Sequence, residues 1–369
     1  MNKTGNVLAF LGLLGLCFLQ TSRAGLADSS SGANSGLSNR FKNRYTERAE
    51  GRGLLKWQWE RLTSSGRRAP KKPIEGIDPD LDLIHEDSRK IRITWVGHAT
   101  LLVQINGINI LTDPHWGDAA SPVKWAGPRR HQKPGIPFER LPRIDYVLLS
   151  HNHYDHLDKD TVQRLMDRKG GAPKFLVPLG VGKWFSKNIK GSVMRGENQN
   201  VFAMGWDEDL KAEGENGAVT FRFLAVQHWS ARSLFDRYKT LWGSWAVLAD
   251  GFTFWFSSDS GYSRDIPDIH QSIGDADVAA ISIGGYAPRW FMKGSHFDPE
   301  EAVLAMKDTG AKSAIAIHWG TFENLSDEPL DEPPVLLRAS LKKHLVPESS
   351  FKVPKHGQTL VWDGSRLVG

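Results

Sequence analysis

The stretch His151-Asn152-His153-Tyr154-Asp155-His156 contains three histidines and one aspartate within six residues. It comes directly after the apolar run at residues 146–150, whose composition is typical of a short buried strand. Neutral imidazole nitrogens and carboxylate oxygens are the ligands that zinc and similar first-row ions take from proteins. The sequence therefore predicts a metal site at the end of a strand, in preference to a polar loop that happens to be rich in histidine.

Three further candidate ligands occupy the same position relative to a strand. Apolar runs at residues 221–227, 252–258 and 314–317 lead directly to His228, Asp259 and His318. A single histidine after a strand is more often a structural residue. The same arrangement four times in one chain favours a shared site, because strand ends can assemble a rigid site from distant segments.

The pattern His-x-His-x-Asp-His, followed by His, Asp and His at widening intervals, resembles the metallo-β-lactamase superfamily of two-metal hydrolases. Within it, the chain is similar to the family of N-acylphosphatidylethanolamine-hydrolysing phospholipases D, from about residue 54 to residue 362. The most particular matches are Pro-Arg-Trp-Phe-Met-Lys at 288–293 and Asp-Pro-Glu-Glu-Ala-Val at 298–303. Other matching stretches are residues 95–100, 111–114, 150–158, 241–245 and 318–322.

The resemblance implies an α/β fold, namely an αββα sandwich of the metallo-β-lactamase type with a two-metal site at strand ends. It also implies two zinc ions as cofactors. Carried over residue by residue, the first ion is held by His151, His153 and His228, the second by Asp155, His156 and His318, and Asp259 bridges the two. A shared carboxylate suits two cations about 3.5–4 Å apart, because its charge offsets their repulsion. Superfamily members that reduce oxygen with iron carry Glu in place of His153, so this chain favours zinc and hydrolysis.

Two residues are candidates for catalysis. Asp155 is a predicted ligand that can also orient the attacking water or accept its proton. His296 matches a histidine close to the substrate in the family and is a candidate donor to the leaving group, with a structural role as the alternative. His98 and Asp113 are expected to orient the metal ligands. Candidates for contacting a phosphate are Lys124 and the turn at residues 127–130.

The N-terminus carries the pattern of a secretory signal. Lys3 precedes an apolar run at residues 7–19, which is short for a membrane span, and Ser22-Arg23-Ala24 places small residues where a signal peptidase cleaves. We expect a signal peptide at 1–24 and export across the cytoplasmic or ER membrane, with an uncleaved anchor as the alternative. Residues 25–72 are expected to form a flexible, basic extension, and residues 73–369 the hydrolase domain.

Positive charge is concentrated in part of this extension. Residues 40–72 contain eleven Lys or Arg and three Glu, a net charge of +8, whereas the whole chain carries +5. The segment also contains Trp57 and Trp59, and cationic residues interleaved with tryptophan suit the headgroup region of an anionic membrane. The alternative is that these tryptophans pack on the domain. Nucleic acid is not an expected partner, since the remaining sequence shows no basic stripe.

The predicted function is that of a zinc-dependent phosphodiesterase of phospholipase D type. It would hydrolyse N-acylphosphatidylethanolamine-like phospholipids to N-acylethanolamine and phosphatidic acid. One alternative is a zinc hydrolase of the same fold that acts on another ester or a lactone. Another is a metal-loaded binding protein without turnover, which is disfavoured because binding alone does not need a complete water-activating centre. The sequence leaves open whether the chain forms a homodimer.

Overall fold

The computed structural model describes residues 40–45, 53–63, 70, 74–123, 125–233 and 235–369. The predicted signal peptide and the Ser/Gly-rich stretch that follows it lie outside the described residues, and so does Lys124. Among the residues that the structure describes, no helix combines the length and the apolar character needed to cross a bilayer.

The strands alternate with helices along most of the chain. The strands are β1 Arg92–Gly97, β2 Thr100–Ile105, β3 Ile108–Thr112, β4 Tyr146–Leu148, β5 Lys174–Pro178, β6 Val201–Met204, β7 Asp209–Gly214, β8 Gly217–Leu224, β9 Ser244–Ala249, β10 Phe252–Phe256, β11 Val278–Ser282, β12 Ser313–Ile317, β13 Phe351–Lys352, β14 Thr359–Trp362 and β15 Leu367–Val368. The helices are α1 Leu54–Thr63, α2 Leu81–His85, α3 Lys159–Met166, α4 Val181–Asn188, α5 Asp265–Ile273, α6 Arg289–Met292, α7 Pro299–Asp308 and α8 Pro333–Lys343.

These strands form two sheets. The first has eight strands in the order β15-β14-β1-β2-β3-β4-β5-β6, and the second has seven in the order β13-β12-β11-β10-β9-β8-β7. One half of each sheet is parallel: β3 to β6 in the first and β10 to β13 in the second. The carboxyl ends of parallel strands meet at one edge, and this places their following loops together.

The hydrophobic pattern explains the layers. In β8, Val219, Phe221 and Phe223 are buried while the intervening Thr220 and Arg222 are half-exposed, as expected for a strand with one face on the core. Side chains of both sheets interdigitate in this central core. Helices α3 and α4 cover the outer face of the first sheet, and α5, α7 and α8 cover that of the second. The predicted αββα sandwich is confirmed.

Helix α7 begins with a complete capping box. Asp298 is its N-cap and accepts from the backbone N of Glu301 at 2.9 Å, while the Glu301 side chain bonds back to the N-cap. Pro299 occupies the first turn, where its missing N–H costs nothing. The cap fixes the start of the helix just after His296.

The described part of the N-terminal extension packs on the domain. Trp57 in α1 stacks on Phe291 with ring centroids 4.9 Å apart, and its Nε1 donates to Asp327 Oδ2 at 2.7 Å. Trp59 is 68% exposed, and Lys56 Nζ lies 4.5 Å from the ring centroid of the exposed Trp290. Trp57 therefore packs on the domain, whereas Trp59 is largely exposed, because residues two positions apart on a helix point in different directions.

Candidate metal centre

The loops at the carboxyl ends of the strands bring the seven predicted ligands together. His151 follows β4, His228 follows β8, Asp259 follows β10 and His318 follows β12. Together with His98, these residues place their ligand atoms in two groups of four, each with all atoms within 4.8 Å of one another. One group is His151, His153, His228 and Asp259, and the other is His98, Asp155, His156 and His318.

Asp259 lies between the two groups. Its Oδ1 is 3.0 Å from His318 Nε2, and its Oδ2 is 3.1 Å from His156 Nε2. The same Oδ2 is 3.8 Å from Nε2 of His151 and of His228. Because each oxygen faces a different set of imidazoles, this carboxylate is placed to bind one cation with each oxygen. This is the arrangement expected of the predicted bridging ligand.

Several atoms of the cluster are buried without a hydrogen bond. Within the described part of the chain, no hydrogen bond reaches His156 Nε2, His318 Nε2 or Asp259 Oδ1. A buried polar atom left unpaired costs about 1–3 kcal/mol. Imidazole and carboxylate donors that converge in this way suit zinc, so the residues fit a pair of such ions.

The backbone next to the cluster is strained at four positions. Of the nine non-glycine residues with positive φ in the described part of the chain, four lie here: His98 (53°), Asp113 (33°), Ser258 (52°) and His318 (62°). Each such residue costs about 1–3 kcal/mol and persists only where surrounding contacts enforce it. Four strained residues around one cluster support a functional role for this edge of the sheets.

Asp113 is linked to both groups by hydrogen bonds, directly to His156 and through Ser150 to His151. Its Oδ2 accepts from His156 Nδ1 at 2.7 Å and from Ser150 Oγ at 2.6 Å, and its Oδ1 accepts from the Ser150 backbone N at 2.8 Å. Ser150 Oγ in turn accepts from His151 Nδ1 at 2.9 Å. Since both rings use Nδ1–H for these bonds, their Nε2 lone pairs face the cluster. Burial raises the pKa of Asp113, and the bonds from His156 and Ser150 oppose that rise.

His98 lies directly against two of the predicted ligands, Asp155 and His318. Its Nε2–H donates to Asp155 Oδ2 at 3.0 Å, and its ring is 4.0 Å from that of His318. Its backbone N donates to Thr321 Oγ1 at 2.7 Å, and this hydroxyl also contacts His356 Nε2 at 2.9 Å. Sequence reasoning missed Thr321 and His356, because neither follows a recognisable strand-and-ligand pattern.

The pKa values suit a site that binds cations. Burial lowers the pKa of His153 to about 3, which keeps its ring neutral. Burial opposes ionisation of Asp155 and Asp259, but neighbouring imidazoles, His156 first, hold both carboxyl pKa values well below the usual range. Burial also lowers the pKa of His318, but the charge of Asp259 and the close approach of both carboxylates raise it to about 9. A metal cation that binds the imidazole nitrogens of the cluster would displace any protons that these nitrogens carry in its absence.

His296 borders the cluster. Its Nδ1 is 3.8 Å from Asp259 Oδ2, and its side chain is 14% exposed. A Cβ on Gly285 would lie 2.9 Å from His296 Nδ1 and 3.1 Å from His318 Cε1. Gly285 also has φ of +81°, so only glycine allows both rings to approach its backbone this closely.

A small pocket with a mixed polar and apolar lining adjoins the cluster. It is partly open to solvent and is lined by His98, Gly285, His318, Trp319, Gly320, Thr321, Phe322, Asn324, Leu325, Ser326, Glu328, Pro329, Leu330 and Pro333. On the other side, Trp229 packs on His153 with ring centroids 4.2 Å apart. Trp116 instead packs on Phe138 beneath the first sheet.

The predicted phosphate contacts are only partly described. Arg130 donates through Nε to Gly117 O at 2.8 Å and through Nη2 to His115 O at 2.7 Å. Its guanidinium is therefore engaged inside the protein and is not presented to a substrate. A basic residue that the sequence did not single out, Arg237, lies over the Trp229 ring at 4.3 Å, beside the cluster.

Comparisons with known proteins agree with this geometry. The family model described as "Beta-lactamase superfamily domain" matches residues 108–319. The N-acyl-phosphatidylethanolamine-hydrolyzing phospholipase D 1 of Caenorhabditis elegans is 37% identical over 274 residues, which are 74% of this chain and 75% of that protein. The mitochondrial N-acyl-phosphatidylethanolamine-hydrolyzing phospholipase D of Saccharomyces cerevisiae is 32% identical over 243 residues, 65% of this chain and 49% of that protein.

The fold has counterparts among solved structures. A metallo hydrolase from the archaeon Ignicoccus hospitalis superposes with a TM-score of 0.54 at 19% identity, covering 74% of this chain and 99% of that one. At this identity the likeness concerns the fold. Together with the matched family model, it confirms the resemblance predicted from the sequence motifs.

Proposed function

The chain belongs to the metallo-β-lactamase superfamily, and we propose that it is a two-zinc phosphodiesterase of phospholipase D type. It would cleave N-acylphosphatidylethanolamine-like lipids to N-acylethanolamine and phosphatidic acid. The observation that carries this proposal is the pair of imidazole and carboxylate groups that share Asp259. The substrate class is supported by the relative that is 37% identical over three quarters of the chain.

The donor set supports zinc and hydrolysis. Ring nitrogens dominate both groups, and zinc binds such ligands without redox chemistry. When bound, two adjacent cations lower the pKa of water and stabilise negative charge on a reacting phosphoryl group. The seven residues that would hold them are His151, His153, Asp155, His156, His228, Asp259 and His318.

Asp155 is the carboxylate best placed to take a proton from the attacking water. Its side chain retains 11% exposure, whereas that of Asp259 is 1% exposed and enclosed by imidazoles. His98 Nε2–H donates to its Oδ2 at 3.0 Å, which limits rotation of the carboxylate. A fixed base avoids the cost of reorienting during proton transfer.

His296 is placed to assist the leaving group. It borders the cluster without being one of the predicted ligands, and within the described residues no hydrogen bond reaches its Nδ1. We propose that it donates a hydrogen bond to the leaving oxygen. Its replacement by Phe should lower turnover by about 10²-fold or more while leaving zinc content near that of the wild type. Loss of zinc in this variant would instead identify His296 as a ligand.

The surface suits a lipid substrate. The pocket beside His318 carries Phe322, Leu325 and Leu330, whose apolar side chains can contact acyl chains. On the surface, the exposed Trp59 and Trp290 lie near Lys56, a combination that favours an anionic membrane. We further propose that the chain is exported. N-terminal sequencing of protein recovered outside the cytoplasm should then give Gly25 as the first residue, and an intact Met1 in a membrane pellet would favour an anchor.

The decisive experiment incubates the purified protein with vesicles of N-acylphosphatidylethanolamine. We expect equal amounts of phosphatidic acid and N-acylethanolamine, with about two zinc ions per chain by elemental analysis. Asp155→Asn should abolish product formation. Asp145→Asn should not, because this carboxylate accepts from the Asn109 backbone N at 2.9 Å and is not part of the cluster.

Other outcomes separate the alternatives. Zinc without lipid hydrolysis, but with cleavage of a simple ester or lactone, would assign a different substrate to the same centre. Zinc without turnover of any of these would favour a binding protein. Absence of metal from active protein would contradict the proposed mechanism.

A further inference from the structure

The segment Arg40 to Tyr45 lies against the domain although the sequence assigns it to a flexible extension. The Phe41 backbone N donates to Tyr238 O at 2.8 Å, and the Phe41 side chain packs against the central core. Arg44 Nη2 donates to Asp207 Oδ2 at 2.7 Å. The Phe41 contacts hold the segment next to the loop that follows β8, whereas the exposed Arg44 ion pair contributes little.

Within this segment, the side chain of Asn43 contacts the backbone of His228, one of the predicted metal ligands. Its Oδ1 accepts from the His228 backbone N at 3.1 Å and from Trp242 Nε1 at 3.0 Å. Because Trp242 is fully buried, its Nε1–H holds the Asn43 Oδ1 atom in place from the side of the core. His228 lies four residues beyond the end of β8. The preceding Gln227 is bridged to Gly261, whose N donates to Gln227 O at 2.8 Å, and Asn43 holds the N–H of His228 itself.

The side chain of His228 depends on this backbone position. Its Nδ1–H donates to Ser295 O at 2.9 Å, so Nε2 faces the cluster, 3.3 Å from His153 Nδ1. One bond orients the ring, and the other, from the His228 N–H to Asn43 Oδ1, holds the backbone that carries the ring. A ligand displaced by a few tenths of an ångström binds a metal less well, because coordination distances vary by only about 0.2 Å.

We propose that the segment Arg40 to Tyr45 completes the metal centre, with Asn43 as the positioning residue of His228. This inference rests on the part of the proposed function that concerns the metal centre. It does not depend on the proposed lipid substrate. It places the start of the functional unit at residue 40 or earlier, before the boundary at residue 73 that the sequence suggests. Supporting residues of this kind change metal affinity or activity by about 10–100-fold when replaced.

The test compares full-length variants by their zinc affinity. Asn43→Leu removes the acceptor at similar size, and Asn43→Asp retains it. Arg44→Met is the matched control, because it removes an ion pair whose side chains are 30% and 56% exposed and leaves Asn43 in place. Zinc binding is measured by competition with a chromophoric chelator, alongside thermal unfolding of the metal-free proteins.

We expect Asn43→Leu to weaken one of the two zinc-binding steps by about 10–100-fold, with Asn43→Asp and Arg44→Met close to the wild type. If Asn43→Leu is poorly folded, Asn43→Ala serves the same comparison. Equal zinc affinity in the acceptor-free variant and in Arg44→Met would overturn the inference. A wild-type protein that binds no zinc would instead refute the proposed function, so the two failures are distinguishable.

Discussion

Replacing Asp113 with Asn should weaken zinc binding at both groups although the residue is not a predicted ligand. The change keeps size and shape but leaves a single acceptor oxygen. In the native protein both oxygens accept: Oδ1 from the Ser150 backbone N at 2.8 Å, and Oδ2 from Ser150 Oγ at 2.6 Å and His156 Nδ1 at 2.7 Å. The amide therefore cannot satisfy all of these donors in either orientation.

Each orientation has a definite consequence. If the amide nitrogen takes the place of Oδ2, His156 must move its proton from Nδ1 to Nε2, and the lone pair that faces the cluster is lost. If it takes the place of Oδ1, it opposes the backbone N–H of Ser150. A hydrogen bond to a charged group contributes about 1.5–3 kcal/mol. At about 1.4 kcal/mol per tenfold, losing one such bond corresponds to a decrease of about 10–100-fold in zinc affinity.

The assay is zinc competition against a chelator, followed by turnover of the lipid substrate at saturating zinc. Asp277→Asn is the matched control. The Asp277 carboxylate also accepts a hydrogen bond from a backbone N–H, that of Thr253, at 2.8 Å, and it forms an ion pair with Lys312 Nζ at 2.7 Å. Asp277 is not part of the cluster. A zinc affinity of Asp113→Asn within twofold of the wild type would refute the reasoning that Asp113 sets the orientation of the ligands.

Other perturbations test separate parts of the molecule. Asp259→Ala should remove the shared ligand, so elemental analysis should find fewer than two zinc ions per chain and no turnover; full activity would exclude Asp259 from the centre. Trp57→Ala should lower the free energy of unfolding by about 3 kcal/mol, because it deletes a buried ring that stacks on the domain. Trp59→Ala, at an exposed position, should change it by less than about 0.5 kcal/mol and should reduce binding to anionic vesicles at low salt, with equal vesicle binding counting against the membrane proposal. Burial lowers the pKa of His356 to about 3, below its value of about 6.5 in the unfolded chain, so its contribution to stability is present above pH 6.5 and is lost as the pH falls towards 3. Denaturant unfolding of His356→Gln should accordingly show a weaker loss of stability between pH 7 and 5 than the wild type, and parallel pH profiles would contradict this.

The sequence by itself determined the candidate ligands, and the resemblance of its motifs to a known superfamily implied the fold class. Apolar runs that end in His or Asp identify strand ends, because strand burial and the polar residues that terminate it are local properties. The close spacing within 151–156 needs no tertiary information, since these residues must be neighbours in any fold. The start of α7 at Pro299 was equally local, because the capping box spans only four residues.

Tertiary structure decided which distant residues complete the site. His98 lies in the turn between β1 and β2 and reaches Asp155, 57 positions along the chain, because β4 lies in the same sheet on the far side of β3. Asn43 reaches His228 across 185 positions, and Arg130 turns inwards to backbone carbonyls. Hydrophobic periodicity predicts that a residue is buried or exposed but not what it contacts. Contacts of this range depend on sheet twist and on how the layers pack, which no local pattern of residues encodes.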